Sequence, residues 1–286
     1  MAPLRLGSAH AHRRDARAAL AALPSGSVHI ERRDARAALA ALPPRSISVL
    51  LTDPPYRTLD RRQTNGHLRH WFAASLSWRS IGEVLALARS RMRPDGVAFV
   101  MTNPDGLAEA IEALERAGFS RVRPITWDKV YPGLGGGLRH QTEFVLVGRL
   151  PGSRTLSGVD LVSVRAVGPG TANRLPAEKP ADLGRALAAI AGVGRADFVV
   201  DPFCGSGALL IGAAERGAKV AGYDVAAAAI KRASARLSVG ARPAPSARPR
   251  PSSRPRADRA SVHPASPSRP ARAKAARPRQ TRKGSR

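Results

Sequence analysis

The chain has 286 residues, enough for one domain of about 200 to 250 residues and a tail, because single hydrophobic cores stop growing near that size. Lys and Arg number 47 against 21 Asp and Glu, a formal net charge of +26. A field of that sign favours a polyanionic partner, nucleic acid or an anionic membrane surface, although a GC-biased composition would also raise the arginine content. One cysteine excludes an intrachain disulfide and a cysteine-rich zinc cluster. No apolar run approaches the roughly 20 residues of a membrane span, and the amino terminus lacks the apolar core of a signal peptide. A cytoplasmic protein with no membrane part is expected.

In chain order, the first feature is a repeat: Arg-Arg-Asp-Ala-Arg-Ala-Ala-Leu-Ala-Ala-Leu-Pro stands at residues 13–24 and again at 32–43. Two copies are too few for a solenoid, so residues 1–26 are read as a peripheral duplication. Val28 and Ile30 mark a short strand, residues 35–42 a helix, and residues 47–51 a buried strand running into Asp53-Pro54-Pro55-Tyr56. A polar stretch, 57–70, follows. Ile81, Val84, Leu85 and Ala88 keep helical spacing, Pro94-Asp95-Gly96 stops that helix, and residues 97–101 make the next strand. A helix is expected at 107–117 and strands at 122–127 and 144–147, with a glycine run at 133–137 between them. Residues 151–176 read as irregular, and about 130–176 is the stretch left for target recognition. Then come a helix at 181–191, a strand at 198–200, a glycine turn, a helix from about 208 to 215, a strand at 220–223 and a last helix ending near Leu237. Strands alternating with helices predict an open, mostly parallel sheet with helices on both faces. Residues 241–286 hold 14 Lys and Arg against Asp258 and almost no large apolar residue, so residues 239–286 are expected to be a disordered basic tail after a domain at 27–238.

Two sites carry chemistry. Val199-Val200-Asp201-Pro202-Phe203-Cys204-Gly205-Ser206-Gly207 is a buried strand delivering a glycine turn into a helix, which lets a ligand approach the backbone at the carboxyl end of the sheet. A second strand ends at Asp224, where an acid can accept hydrogen bonds from both hydroxyls of a ribose. An ordinary tight turn and a helix N-cap are the plainer alternatives. The third glycine of a dinucleotide fingerprint and the Gly-Lys-Ser/Thr of a phosphate-binding loop are both missing. Asp53-Pro54-Pro55-Tyr56 also follows a buried strand. Its prolines fix the backbone and leave rigid carbonyl acceptors beside a carboxylate and an aromatic ring, an arrangement suited to an exocyclic amine. Asp53 and a carbonyl can accept from the NH2 group while Tyr56 stacks on the base.

With these residues in place, the chain resembles the amino-methylating DNA methyltransferases, which modify adenine N6 or cytosine N4. The resemblance spans roughly residues 27–238, and the order of the motifs, Asp53-Pro54-Pro55-Tyr56 before the glycine turn, is similar to the circularly permuted beta group. It implies a Rossmann-like methyltransferase fold with S-adenosylmethionine as cofactor, no metal, and double-stranded DNA as substrate. It implies further that Phe203, Gly205 and Gly207 line the cofactor pocket, that Asp201 lies near the methionine amino group, and that Asp224 holds the ribose. Lys179-Pro180 resembles a family element and places Lys179 near the methionine carboxylate, where the plain alternative is a helix start. Asp34 resembles an acid that contacts the adenine amine of the cofactor, where the alternative is a helix N-cap.

The sequence departs from the family in three places. Ala208 stands where the family often has Thr. His140-Gln141-Thr142-Glu143-Phe144 occupies the position of a His-Glu element with two extra residues, leaving Glu143 open between a functional role and the start of an ordinary strand. Cys204 lacks the preceding proline of a cytosine-C5 nucleophile and reads as a small packing residue. Asp ahead of Pro-Pro-Tyr, rather than Ser, favours adenine N6 over cytosine N4. An RNA or protein-amide methyltransferase fits the motif order poorly. A non-catalytic, basic DNA-binding protein with a decayed cofactor site is the reading from a different class. The tail is expected to contact DNA phosphates.

Overall fold

A computed structural model describes residues 24–56, 75–132, 138–166 and 178–240. All of the first repeat copy but Pro24, the polar stretch 57–70, the glycine run 133–137 and the tail 241–286 lie outside the described residues. The elements are β1 (Val28–Arg32), α1 (Ala35–Ala41), β2 (Ile47–Thr52), α2 (Trp78–Arg91), β3 (Met92–Thr102), α3 (Leu107–Arg116), β4 (Ser120–Asp128), β5 (Thr142–Arg149) and β6 (Leu161–Ser163). They continue as α4 (Ala181–Ile190), β7 (Phe198–Asp201), a 3-10 turn (Ala208–Leu210), α5 (Ile211–Glu215), β8 (Lys219–Asp224) and α6 (Ala227–Gly240).

The strands form one sheet in the order β1-β8-β7-β2-β3-β5-β4-β6. Neighbours from β1 to β3 are parallel, while β5 runs antiparallel to both β3 and β4. All six residues of β2 are buried, the continuous pattern of a strand covered on both faces. Residues of β3 alternate between two cores: Val97, Phe99 and Met101 pack with Leu183, Leu187, Leu209 and Leu237, and Ala98 and Val100 pack with Leu39, Ile81, Leu85 and Leu114. Helices α1 to α3 therefore cover one face and α4 to α6 the other, as the alternation of elements predicts.

Two expectations need correction. Pro94-Asp95-Gly96 does follow the end of α2, but it lies inside β3, where the register slips between Ile47↔Met92 and Val49↔Val97. Proline has no ladder donor, and a Cβ on Gly96 would come 2.9 Å from the Arg93 carbonyl oxygen, so the three residues bulge out of the pairing. The irregular stretch contains β6, which pairs parallel with β4 at Thr126↔Leu161. Three residues, of which only Val162 is buried, are too few to leave a period in the sequence.

Candidate active site

The carboxyl ends of β1, β8, β7, β2 and β3 share one edge of the sheet, and the antiparallel β5 brings its amino end to the same edge. Asp53, Asp201 and Asp224 follow or end three of these parallel strands, and Glu143 lies at the start of β5. The edge is closed by hydrogen bonds between neighbours. The Thr52 hydroxyl donates to Asp201 Oδ1 at 2.6 Å, and the Phe203 amide donates to the same oxygen at 3.0 Å. The Cys204 amide donates to the Tyr223 carbonyl at 2.8 Å and the Gly205 amide to Asp224 Oδ2 at 3.0 Å. The glycine turn is thus pinned to β8 on one side while Asp201, at the end of β7, is tied to β2 on the other.

Gly205 and Gly207 both have left-handed backbone, with φ of +51° and +74°. Their surroundings differ. A Cβ on Gly205 would meet nothing within 4 Å, whereas one on Gly207 would come 3.1 Å from Ala233 and Leu237 of α6. Gly205 borders open space and Gly207 seats a helix. Cys204 is buried in the core beneath, and burial pushes its thiol up, consistent with a packing role.

Asp201 is 1% exposed. Burial raises its carboxyl to about 8; the Thr52 and Phe203 donors pull against that shift, and the charges of Asp53 and Asp224 add to it. A cluster of three acids, one of them held largely neutral by burial and its neighbours, is suited to a ligand that brings positive charge. The ammonium and sulfonium of S-adenosylmethionine are such charges, and the backbone at Gly205 is open to close approach, so the residues fit that cofactor. Asp224 presents Oδ1 to the Ala226 amide at 2.8 Å and Oδ2 to Gly205, which fixes both oxygens at the strand end. Asp34 is the N-cap of α1: its Oδ1 accepts from the amides of Arg36 and Ala37 at 3.0 and 3.1 Å, the plainer of the two roles considered for it.

Lys179 is placed against Asp53 and Glu143. Its Nζ is 2.8 Å from Asp53 Oδ2 and 3.4 Å from Glu143 Oε2, with 10% of the side chain exposed. Burial opposes its charge, but Asp53, Glu143 and Tyr56 outweigh that and hold the ammonium protonated. Burial also raises Asp53 above the usual carboxylate range, against the pull of Lys179. Lys129, just after β4, reaches the other oxygen of Glu143 at 3.4 Å. Glu143 therefore lies beside Asp53 and Lys179, and of the two residues ahead of it Gln141 donates to Asp128 Oδ1 at 2.9 Å while Thr142 opens β5 opposite Asp128.

In the proline turn, the Pro54 carbonyl accepts the Tyr56 amide at 2.8 Å and the Pro55 carbonyl accepts Leu76 at 2.7 Å. Each carbonyl has one backbone donor and keeps a second lone pair, so a further N–H can still be accepted there. Tyr56 stacks on Trp78 of α2, with ring centroids 5.6 Å apart and planes 13° from parallel, and burial pushes its phenol up, keeping it neutral. Trp78 carries no motif and was not legible from sequence. Neither was Glu178, 2% exposed in its side chain and paired with Arg232 at 2.9 Å and with Arg236. Arg236 also donates to the Ser206 hydroxyl at 2.8 Å, joining the segment that carries Lys179 to the glycine turn. The arginines stand four apart on α6, a spacing that marks one helix face.

The family profile for the RMKL-like methyltransferase domain matches residues 172–244. A type II methyltransferase, M2.LlaDCHI of Lactococcus lactis subsp. cremoris, is 26% identical over 225 residues, covering 68% of this chain and 83% of that protein. Among solved structures, a putative DNA modification methylase of Thermus thermophilus complexed with S-adenosyl-L-methionine superposes with a TM-score of 0.56 at 23% identity, over 75% of this chain and 94% of that one. The cytosine-N4-specific PvuII DNA methyltransferase superposes with a TM-score of 0.57 at 14% identity, over 77% and 94%. The architecture is that of the S-adenosylmethionine-dependent methyltransferases, and the resemblance to DNA amino-methyltransferases read from the motifs is borne out.

Proposed function

We propose that this chain is an S-adenosylmethionine-dependent DNA methyltransferase that modifies the exocyclic N6 of adenine in a flipped-out base. The observation that carries the reading is the meeting, at one sheet edge, of Asp53-Pro54-Pro55-Tyr56 and the Asp201–Gly207 turn through the Thr52–Asp201 bond. Asp201, Phe203, Gly205 and Asp224 would hold the cofactor, Gly207 would keep the turn seated on α6, and Asp34 and Lys179 would stand at its margins. Bound S-adenosylmethionine supplies an electrophilic methyl group on a positively charged sulfur. Asp53 accepts an N–H bond from the amine, which turns the nitrogen lone pair outward. It is also the base within reach of the proton that the nitrogen loses once methylated. Tyr56, braced by Trp78, offers a face for the base. Asp ahead of Pro-Pro-Tyr supports adenine over cytosine N4; the likeness to PvuII methyltransferase is one of fold. The partner is double-stranded DNA, and the basic tail adds contacts to phosphates. A cytoplasmic location fits this substrate and the absence, among the described residues, of a helix able to cross a membrane.

The test is to sequence DNA from cells expressing the chain, reading N6-methyladenine and N4-methylcytosine separately, beside cells expressing Asp53→Ala. N6-methyladenine at one recurring site, lost in the variant, is the expected result. N4-methylcytosine would move the reading to the other amine, and no modified base would overturn it. In purified protein the variant should lose at least about 100-fold in rate, or about 2.7 kcal/mol of transition-state stabilisation, with cofactor affinity nearly unchanged.

A further inference from the structure

Strand β4 runs parallel to β3, since β5 is antiparallel to both, so the chain leaving β4 at Asp128 emerges at the edge that carries Asp53 and Glu143. Its next residue, Lys129, reaches Glu143 Oε1 at 3.4 Å, and after it Val130 and Tyr131 stand 53% and 48% exposed. Single exposed apolar residues are ordinary, but two consecutive ones beside a charged site mark a contact surface. Val130 has φ of +60°, an outlier for a β-branched residue that persists only where the surroundings impose it. Here they do. The Val130 amide donates to Asp128 Oδ1 at 2.8 Å, and the Gln141 side chain donates to the same oxygen at 2.9 Å. The Lys129 amide donates to the Gln141 carbonyl and the Ala166 amide to the Lys129 carbonyl, both at 2.9 Å. Pro132 follows and disfavours helical backbone at Tyr131. Two exposed cations, Arg139 and Arg165, stand two residues before Gln141 and one before Ala166.

A base that leaves the duplex to reach Asp53 and Tyr56 opens a gap in the stack, and an apolar side chain that fills the gap offsets part of the stacking lost. We propose that Val130 and Tyr131 form a wedge that enters the duplex where the target base has left. The inference rests on the reading of the chain as a DNA methyltransferase acting on an extruded base. A wedge works best when rigid, because a flexible one would have to be ordered at the moment of insertion. The bonded turn at Lys129 and Val130 supplies that rigidity, Tyr131 supplies a ring to stack, and Arg139 and Arg165 supply charge for flanking phosphates.

The experiment uses the full chain and two duplexes containing the methylated site. In one the target base is paired; in the other the opposing base is removed, so that the target leaves the helix without breaking a pair. Single-turnover methylation at saturating S-adenosylmethionine is measured for wild type, the double variant Val130→Ala/Tyr131→Ala, and Tyr131→Phe. The double variant should lose about tenfold more rate on the paired target than on the unopposed one, with S-adenosylmethionine affinity within about twofold of wild type. Tyr131→Phe should keep the wild-type ratio of the two rates, because a wedge needs the ring and not the hydroxyl. A Phe variant with the ratio of the double variant would overturn the wedge. Equal losses on both duplexes, or none on either, would overturn it too, and a smaller species in sedimentation would then give the two residues to an interface between copies of this chain. A wild type that methylates neither duplex would overturn the methyltransferase reading, and the wedge with it.

Discussion

Lys179 Nζ and Asp53 Oδ2 are 2.8 Å apart in a site where 10% and 23% of the two side chains remain exposed. An ion pair so far withdrawn from water is expensive to break, because removing one partner strands the other charge. Lys179→Met should therefore destabilise the fold by about 3 to 5 kcal/mol, measurable by urea denaturation. It also removes the attraction that restrains the upward shift of Asp53. The acid limb of the rate profile should then move to higher pH, since Asp53 must be ionised to accept a proton. A limb that stays in place would separate Lys179 from the chemistry.

With Asp201 in the proposed cofactor site, cofactor binding should depend on pH. Its carboxyl sits at about 8 in the free protein, and a cation bound beside it lowers that value. Below about pH 8, binding should release a proton and affinity should rise with pH, then level off. Calorimetry in two buffers of different ionisation enthalpy reads the proton directly. The folding sign is opposite: the raised value means that the folded state holds the proton more tightly than the unfolded chain. The associated stability is full below about pH 4 and is lost as pH rises through about 8. Asp201→Asn should flatten both slopes and weaken cofactor binding; unchanged slopes would remove Asp201 from the cofactor site.

Gly205→Val should weaken S-adenosylmethionine binding by about tenfold or more, since φ of +51° is costly for a β-branched residue and its side chain would enter the open space beside the turn. Asp224→Ala should do the same by removing the acceptor that pins Gly205. Unchanged calorimetric affinity in both variants would relocate the cofactor.

Tyr56→Ala should weaken capture of the target base, while Tyr56→Phe largely preserves it. A stacking face is worth about 1 to 3 kcal/mol and needs no hydroxyl. A Phe variant as poor as the Ala variant would give the phenol a chemical role.

Deleting residues 241–286 should make DNA binding less sensitive to salt, by about 0.9 in the slope of log affinity against log salt for each phosphate that the tail neutralises. The methylated site should not change, because arginines spaced by Pro, Ala and Ser offer no fixed geometry for reading bases. An unaltered slope would make the tail an inert appendage, and a new site would make it part of recognition.

The strands and helices were legible because their apolar residues keep period: Ile81, Val84, Leu85 and Ala88 read as a helix and bury as one. Asp53, Asp201 and Asp224 were legible because each stands just after or at the end of a buried strand, and in a parallel sheet those ends meet. Glu143 was left open since its strand runs the other way, and strand direction is not written in local sequence. Trp78, Glu178 and Arg236 were hidden for a related reason: stacking and charge pairing across elements depend on which faces meet, and no spacing encodes that. That Lys179 pairs with Asp53 and Glu143 was likewise hidden, because their proximity is set in space and not along the chain.

The sheet order has a consequence for how the enzyme is made. Thr52 and Asp201 are 149 positions apart and Arg32 and Val225 are 193 apart, yet each pair is hydrogen-bonded. During synthesis β1 and β2 leave the ribosome long before β7 and β8 exist to flank them. Their edges must wait, open to mispairing, until nearly all of the folded domain has been translated. The glycine turn is completed by the last strands to arrive, and only then does Asp201 tie it to Thr52, so a chain cut short before Asp224 lacks the turn or the strand that anchors it.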